Sequence, residues 1–248
     1  MNLLIDGDII AWRTATSIPP GNNIYVLYQR INYLLDCIFN DTGVTTSYVI
    51  FISNKDKPSY RSLINPTYKA NRKDIVRPEA LDICFEYLTN YWRAISIPYD
   101  EADDALGWSQ TEDTVISTTD KDLDMIPGKH YNFVRKIFYE ISPLEAIQFF
   151  YKQMLIGDNA DNIQGIRQIG PKKAAKLIEP LTSEQDMFDL VYNKYNDPKR
   201  FLINAECLWI QQEKGKTWAY RQGLSFPNQL QQEVDRLSAY MTSLRAGI

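Results

Sequence analysis

The sequence predicts an α/β fold. It has a mixed, largely parallel central sheet flanked by helices, and then a helical C-terminal part containing a helix-hairpin-helix. Three observations carry this expectation. Short apolar runs, the first ending in Asp6, alternate with segments of helical apolar spacing up to residue 156. Beyond about residue 157 only helical spacing and turns are found. Gly165 and Gly170, followed by Pro171, then interrupt two helical stretches.

The elements follow in order. Leu3–Asp6 is an apolar run ending in a carboxylate, read as a buried strand. Over Asn23–Phe39 the residues Tyr25, Leu27, Tyr28, Ile31, Leu34, Leu35 and Ile38 recur near helical spacing. Tyr48–Ile52 is a second buried strand. Residues 53–78 are polar, basic and broken by Pro58, Pro66 and Pro78. Glu79–Trp92 reads as a helix opening behind that last proline. Ala94–Ile97 reads as a strand, Ala102–Ser109 as a helix and Thr114–Ser117 as a strand. Residues 131–141 alternate as a strand pair, and Pro143–Ile156 is a helix after Ser142. In the C-terminal part Phe188, Tyr192, Tyr195, Phe201, Trp209 and Trp218 read as core.

At 248 residues, 44% hydrophobic and 23% charged, the chain is neither wholly disordered nor collagen-like nor a coiled coil. No apolar run approaches the roughly 20 residues that span a bilayer. Asp6 comes too early for a signal peptide, so no membrane is expected. Cys37, Cys84 and Cys207 lie far apart and read as buried, reduced thiols of a cytoplasmic protein.

A net charge of −4 argues against a nucleic-acid binder until its distribution is seen. Residues 55–77 hold seven basic residues against Asp56 and Asp74. Residues 162–178 hold Arg167, Lys172, Lys173 and Lys176 and no acid. Between them lies an acidic stretch with Glu101, Asp103, Asp104, Glu112, Asp113, Asp120, Asp122 and Asp124 against Lys121. Phosphate backbones favour the first kind of block and divalent cations the second.

Asp6, then Glu101, Asp103 and Asp104, then Asp120 and Asp122 each follow a predicted strand. Ligand sites of open α/β sheets gather at those carboxyl ends. Helix N-capping is the plainer reading of any one of them. The set together would repel unless a cation held it. His130 is the only histidine and reads as a structural surface or strand residue. An all-oxygen site points to Mg²⁺ or Mn²⁺. Asp158 and Asp161 would share a face if they form a helical turn. After them a glycine turn feeds a helix with Pro171 at its first position and Ala174, Leu177 and Ile178 on its inner face. Such a turn offers backbone N–H groups to phosphate, and Lys172, Lys173 and Lys176 add charge. The plainer reading is an αα turn.

Gly165-Ile166-x-x-Ile169-Gly170-x-x-x-Ala174 resembles the helix-hairpin-helix of flap endonucleases and 5′→3′ exonucleases, a family that includes bacteriophage replication nucleases. Gly157-Asp158-x-x-Asp161-Asn162-Ile163 resembles the segment preceding it. Asp100-Glu101-Ala102-Asp103-Asp104 is similar to the family's acidic helix start, and Ser117-Thr118-Thr119-Asp120-Lys121-Asp122 to its acidic loop. Tyr60-Arg61 with Pro66-Thr67-Tyr68-Lys69-Ala70-Asn71-Arg72 is similar to the base of its arch. With Leu4-Ile5-Asp6-Gly7 these motifs run in family order over residues 1–180.

The resemblance implies a 5′-nuclease with two divalent ions. Asp6, Glu101 and Asp103 go to the first, and Asp120, Asp122 and Asp161 to the second, with Asp104 and Asp158 nearby. It implies catalytic roles for Lys69 and Arg72, which would share a helix face. DNA contacts fall to Arg61, Tyr68, Lys73, Gly165, Gly170, Lys172, Lys173 and Lys176, with Tyr68 stacking on a base unless it is a core tyrosine. K⁺ at the hairpin is a further implied ion. The implied partners are DNA with 5′ ends, flaps or nicks, and RNA–DNA hybrids. The implied state is a monomer, acting in a bacterial cell if phage-encoded. The implied organisation is a nuclease core over 1–156 with an arch near 54–80, the hairpin element over 157–180, and a helical region over 181–248 packed on the core. One departure stands out: where the family carries an aspartate after the second strand, this chain has Ser53-Asn54-Lys55-Asp56, and either Asn54 or Asp56 could occupy its place. Two other readings exist. Asp6-Gly7-Asp8 resembles the nucleophile motif of haloacid-dehalogenase-like phosphatases, but Ile10 stands where a threonine is expected. Asn54 also admits a catalytically weak junction binder. Without the eight assigned acids, 27 basic residues face 23 acidic ones, so the remainder is net basic.

Overall fold

A computed structural model describes residues 1–246 other than 20, 22 and 222. Its first half alternates strands and helices. These are β1 (Asn2–Asp6), α1 (Gly7–Ser17), α2 (Ile24–Thr42), β2 (Tyr48–Ser53), α3 (Tyr60–Ile64), a 3₁₀ turn (Ala70–Asp74), α4 (Leu81–Asn90) and β3 (Ile95–Ile97). Next come α5 (Ala102–Ser109), β4 (Thr114–Ser117), a 3₁₀ turn (Lys121–Met125), β5 (Gly128–Asn132), β6 (Ile137–Ile141) and α6 (Pro143–Ile156). The strand order is β3-β2-β1-β4-β5-β6, parallel except for the β5–β6 pair. The mixed, largely parallel sheet is as expected. The chain leaves β1 first towards β2 and β3 and later takes up β4 on the other side. The switch point therefore lies between β1 and β4, with its crevice at their carboxyl ends.

Period-2 alternation in β1 sends Leu3 and Ile5 to one face and Leu4 and Asp6 to the other. Leu3 and Ile5 join Ile10, Ile31, Leu35, Ile50 and Leu88 in a core under α1, α2 and α4. Leu4 joins Ile116, Leu106, Phe150, Phe188 and Trp218 in a second core. Asp6 thus lies at the rim of the second core, facing α5.

The C-terminal part holds β7 (Gly157–Asp158), β8 (Ile163–Gln164), α7 (Pro171–Ile178), α8 (Glu184–Tyr195), α9 (Pro198–Leu208), a 3₁₀ turn (Trp218–Tyr220) and α10 (Asn228–Ala246). It is not helices and turns alone, because β7 and β8 form a short antiparallel ladder. Its aromatics form core, with Phe188, Phe201 and Trp218 fully buried. The cysteines are free, with Cys84 and Cys207 buried and Cys37 only partly covered. His130 is buried in β5, its Nε2 at 2.8 Å from the Ile126 carbonyl oxygen. Among the described residues no helix is long and apolar enough to cross a membrane.

Candidate active site

Acids from four segments meet at the carboxyl ends of β1 and β4. Asp6 caps α1, its Oδ1 accepting the Ile9 N–H at 3.1 Å, and its Oδ2 accepts the Thr118 hydroxyl at 2.7 Å. That second bond ties the end of β1 to the end of β4. Asp120 caps the following 3₁₀ turn through the Asp122 N–H. Asp122 accepts from Gln153 of α6 at 2.7 Å and from Lys121 at 2.9 Å. Glu101, Asp103, Asp122, Asp158 and Asp161 line one cleft with Arg61, Tyr68 and Gln153. Asp158 and Asp161 reach it from the β7–β8 ladder and its connecting turn, not from a helical turn as expected. Gly157 has φ +79°, and a Cβ on Gly165 would stand 2.2 Å from the Ile156 backbone, so this ladder closes only with glycine at both positions.

The electrostatics are those of a site short of positive charge. Burial, then Asp8, raises the Asp6 carboxyl to about 7. Burial, then Asp6 and Asp120, pushes Asp103 well above the usual carboxylate range. Burial would also raise Glu101, but Lys69 and Arg61 beside it bring its carboxyl down to about 2. Among the described residues no three His, Cys, Asp or Glu side chains stand close enough to hold a metal ion as they are. Lys69 and Arg72 explain part of this. The Lys69 ammonium lies 2.9 Å from both Glu101 oxygens and 3.8 Å from Asp161. The Arg72 guanidinium donates to the other Asp161 oxygen and to the Ala160 carbonyl. The all-oxygen donor set and the mutual repulsion within it fit hard divalent cations.

Several expected roles are corrected here. Lys69 and Arg72 do not share a helix face. Lys69 precedes the 3₁₀ turn in a left-handed conformation, φ 56°, and its N–H donates to the Asp161 carbonyl at 2.9 Å. That turn aims both cations at Asp161. Arg61 is not placed to touch DNA. It is buried, paired with both Asp104 oxygens at 2.6 and 2.7 Å, and it donates to the Cys207 and Trp209 carbonyls. Asp104 is fully buried in that pair and caps α5, which takes it out of any metal site. Tyr68 has no free ring face for a base in this structure. Its ring is buried and its hydroxyl lies 3.0 Å from Glu101 and 2.9 Å from Asp161. Burial and then Glu101 push that hydroxyl up, so it stays a proton donor. Lys73 is exposed.

Residues 1–151 match the family model described as the 5′–3′ exonuclease, N-terminal resolvase-like domain. The chain belongs to the 5′→3′ exonuclease family. It is therefore a 5′-nuclease, and so a phosphodiester hydrolase. A flap endonuclease Xni of Shewanella denitrificans is 28% identical over 210 residues, covering 77% of this chain and 82% of that one. The thermostable DNA polymerase I of Thermus caldophilus is 27% identical over 208 residues, which span 75% of this chain and 24% of the polymerase. Zinc-bound T5 5′-exonuclease shares the fold, with a TM-score of 0.63 at 20% identity over 84% of this chain and 88% of that one. The T5 D15 protein co-crystallised with metal ions gives 0.61 at 20% identity, covering 86% and 90%. Family membership removes the phosphatase reading of Asp6-Gly7-Asp8.

The hairpin of this 5′-nuclease presents Lys172, Lys173 and Lys176 to solvent on α7. Gly170 precedes α7 with open space around it. Arg200 and Asn204 of α9 hold the hairpin from below. Arg200 donates to the Gln164 and Gly165 carbonyls, and Asn204 to that of Gln164. A K⁺ ion at these carbonyls would compete with the guanidinium. Neither candidate for the aspartate after β2 supplies an acid to the cleft. The Asn54 amide oxygen accepts from the Asp56 and Lys57 N–H groups and its NH₂ donates to Ser96, while Asp56 is exposed. Four residues escape sequence reasoning: Thr118, Gln153, Arg200 and Asp8. Gln153 and Arg200 carry no signal beyond being polar or charged, and Thr118 none beyond its place in the acidic-loop motif. Asp8 does carry one, lying two residues after Asp6, but in the sequence it reads only as part of the phosphatase motif. Burial raises its carboxyl, against two hydrogen bonds from Ser53, and Glu101 and Lys69 are its charged neighbours.

Proposed function

We propose that this nuclease cuts DNA near 5′ ends, nicks and flaps, including RNA primers paired to DNA, using two divalent ions. Asp6, Glu101 and Asp103 would hold one ion and Asp120, Asp122 and Asp161 the other, with Asp158 close by. The ions are Mg²⁺ or Mn²⁺, in keeping with carboxylate ligands. When bound, they supply activation of water and stabilisation of charge on the leaving oxygen of an in-line displacement.

The observation that supports this reading is the meeting of acids from β1, α5, the β4 loop and the β7–β8 turn, with Asp6 and Asp103 pushed up by burial and by neighbouring carboxylates. Lys69 and Arg72 now neutralise Glu101 and Asp161. Lys69 and Arg72 stand at the same acids, and once freed from them would be placed to meet the scissile phosphate and stabilise charge in the transition state. Thr118 holds Asp6 in place for this, and Gln153 holds Asp122.

Lys172, Lys173 and Lys176 grip the duplex backbone without reading sequence. Lys73 extends this basic surface from the arch. Residues 1–156 act as the nuclease core with its arch at 54–80, 157–180 as the duplex grip, and 181–248 as a brace. The protein works as a monomer in the cytoplasm of a bacterial cell.

Cleavage of 5′-flap, nicked and blunt substrates in Mg²⁺, Mn²⁺ and chelator tests this. Asp120→Asn is expected to bind flap DNA and cut it on the order of a thousandfold more slowly, about 4 kcal/mol of transition-state stabilisation. Full activity in chelator would end the metal reading.

A further inference from the structure

Asp8 lies in the first turn of α1, at the corner where β1, β2 and α5 meet. Its Oδ1 accepts the Ser53 N–H at 2.9 Å, at the last residue of β2. The Ser53 hydroxyl oxygen in turn accepts the Ala102 N–H at 3.1 Å, at the start of α5. Gly7 makes this reach possible. A Cβ there would stand 2.6 Å from Ile52 and 2.7 Å from the Phe51 carbonyl, so only glycine lets α1 lie this close to β2. The charged groups facing Asp8 are Asp6 from β1, Glu101 from the start of α5, and Lys69 from the arch. The one cation among them is already bonded to Glu101. Residues after β2 bring no acid to this corner, since Asn54 spends its amide in its own turn and on Ser96, and Asp56 is exposed.

We propose that Asp8 is a metal-binding carboxylate of this nuclease, supplying negative charge at the end of β2 to the ion held by Asp6, Glu101 and Asp103. The proposal rests on the metal reading above. It assigns to α1 a charge that the segment after β2 does not provide. The competing role is a neutral brace, with Asp8 serving only to tie α1 to Ser53. Asp8→Asn separates the two, because the amide oxygen still accepts the Ser53 N–H while the charge is gone.

The test is Mn²⁺ titration of the full chain by calorimetry, with thermal melting in chelator alongside, for the wild type, Asp8→Asn, Asp56→Asn and Asp6→Asn. Asp8→Asn is expected to weaken the tighter Mn²⁺ site about tenfold. Its melting temperature in chelator should hold or rise, because a repelling charge is removed. Asp56→Asn is expected to bind Mn²⁺ as the wild type does. Wild-type Mn²⁺ affinity in Asp8→Asn, beside weakened binding in Asp6→Asn, overturns the proposal and leaves the metal site standing. Weakened binding in Asp56→Asn alone overturns it in favour of Asp56. Unchanged binding in Asp6→Asn as well overturns the metal reading itself.

Discussion

Arg61 and Lys69 come from the same basic stretch and both meet carboxylates of the α5 start, yet the two contacts are different in kind. The Arg61 side chain is 2% exposed and Asp104 is wholly buried. Its guanidinium is saturated by two carboxylate oxygens and two carbonyls of the α9 end and the residue after it. Lys69 and Arg72 are 28% and 47% exposed, and their partners line the cleft. A sealed, saturated pair cannot be exchanged for another ion without unfolding its surroundings. An open pair can be exchanged for a divalent cation or a phosphate. Burial and completeness of hydrogen bonding, not charge, separate the sealed pair from the exchangeable one.

The largest effect that would break this comparison concerns the sealed pair. Arg61→Ala leaves Asp104 buried and charged without its cation, holding only the Glu101 and Gln211 N–H groups, and should cost about 3–5 kcal/mol in urea unfolding. A stable Arg61→Ala protein with weakened DNA binding would move Arg61 into the DNA interface. Next come the open pairs. Lys69→Ala and Arg72→Ala should each slow single-turnover cleavage about a hundredfold. Their unfolding free energies should change by no more than about 1 kcal/mol. Equal losses of stability in all three variants would erase the distinction.

The pH dependence sharpens it further. Folded Asp6 titrates near 7 and the unfolded residue near 3.8, so the unfolded chain gives up this proton first. In metal-free protein Asp6 therefore lowers stability progressively as pH rises through that window, and adds no further change above it. Glu101 acts in the opposite sense, its contribution being lost as pH falls from 4.5 towards about 2. Melting temperatures in chelator should therefore fall between roughly pH 5 and pH 7, within the Asp6 window. Saturating Mg²⁺ should remove that fall, and a flat chelator profile would count against the Asp6 environment described here. The smallest effect belongs to the hairpin. Lys172→Ala and Lys173→Ala should weaken duplex binding uniformly across sequences and reduce the log–log salt slope by about 1 each.

Much of the fold is legible in the sequence. The strand ends at Asp6 and Ser117 stand out because buried strands are short apolar runs, and the helix starts at Ala102 and Pro143 because caps and prolines mark them. The β7–β8 ladder is not legible, since two-residue strands leave no periodicity. Arg61 and Lys69 are indistinguishable as basic residues of one stretch. So are Asp103 and Asp104, adjacent in sequence, one facing the cleft and the other sealed against Arg61. Asp8 stays hidden because its meaning depends on Ser53, 45 residues away.

The sequence by itself determined the sheet, the order of the motifs and the family, because periodicity, capping and glycine spacing are local. It also determined that the acidity is local and the remainder of the chain net basic. Only the tertiary structure decided which charges stay accessible and which are sealed. That depends on whether water and ions can reach a side chain once β1, α5, the arch and α9 have closed around it. A carboxylate's role is set by its dielectric surroundings and its partners, and those come from residues distant in the chain.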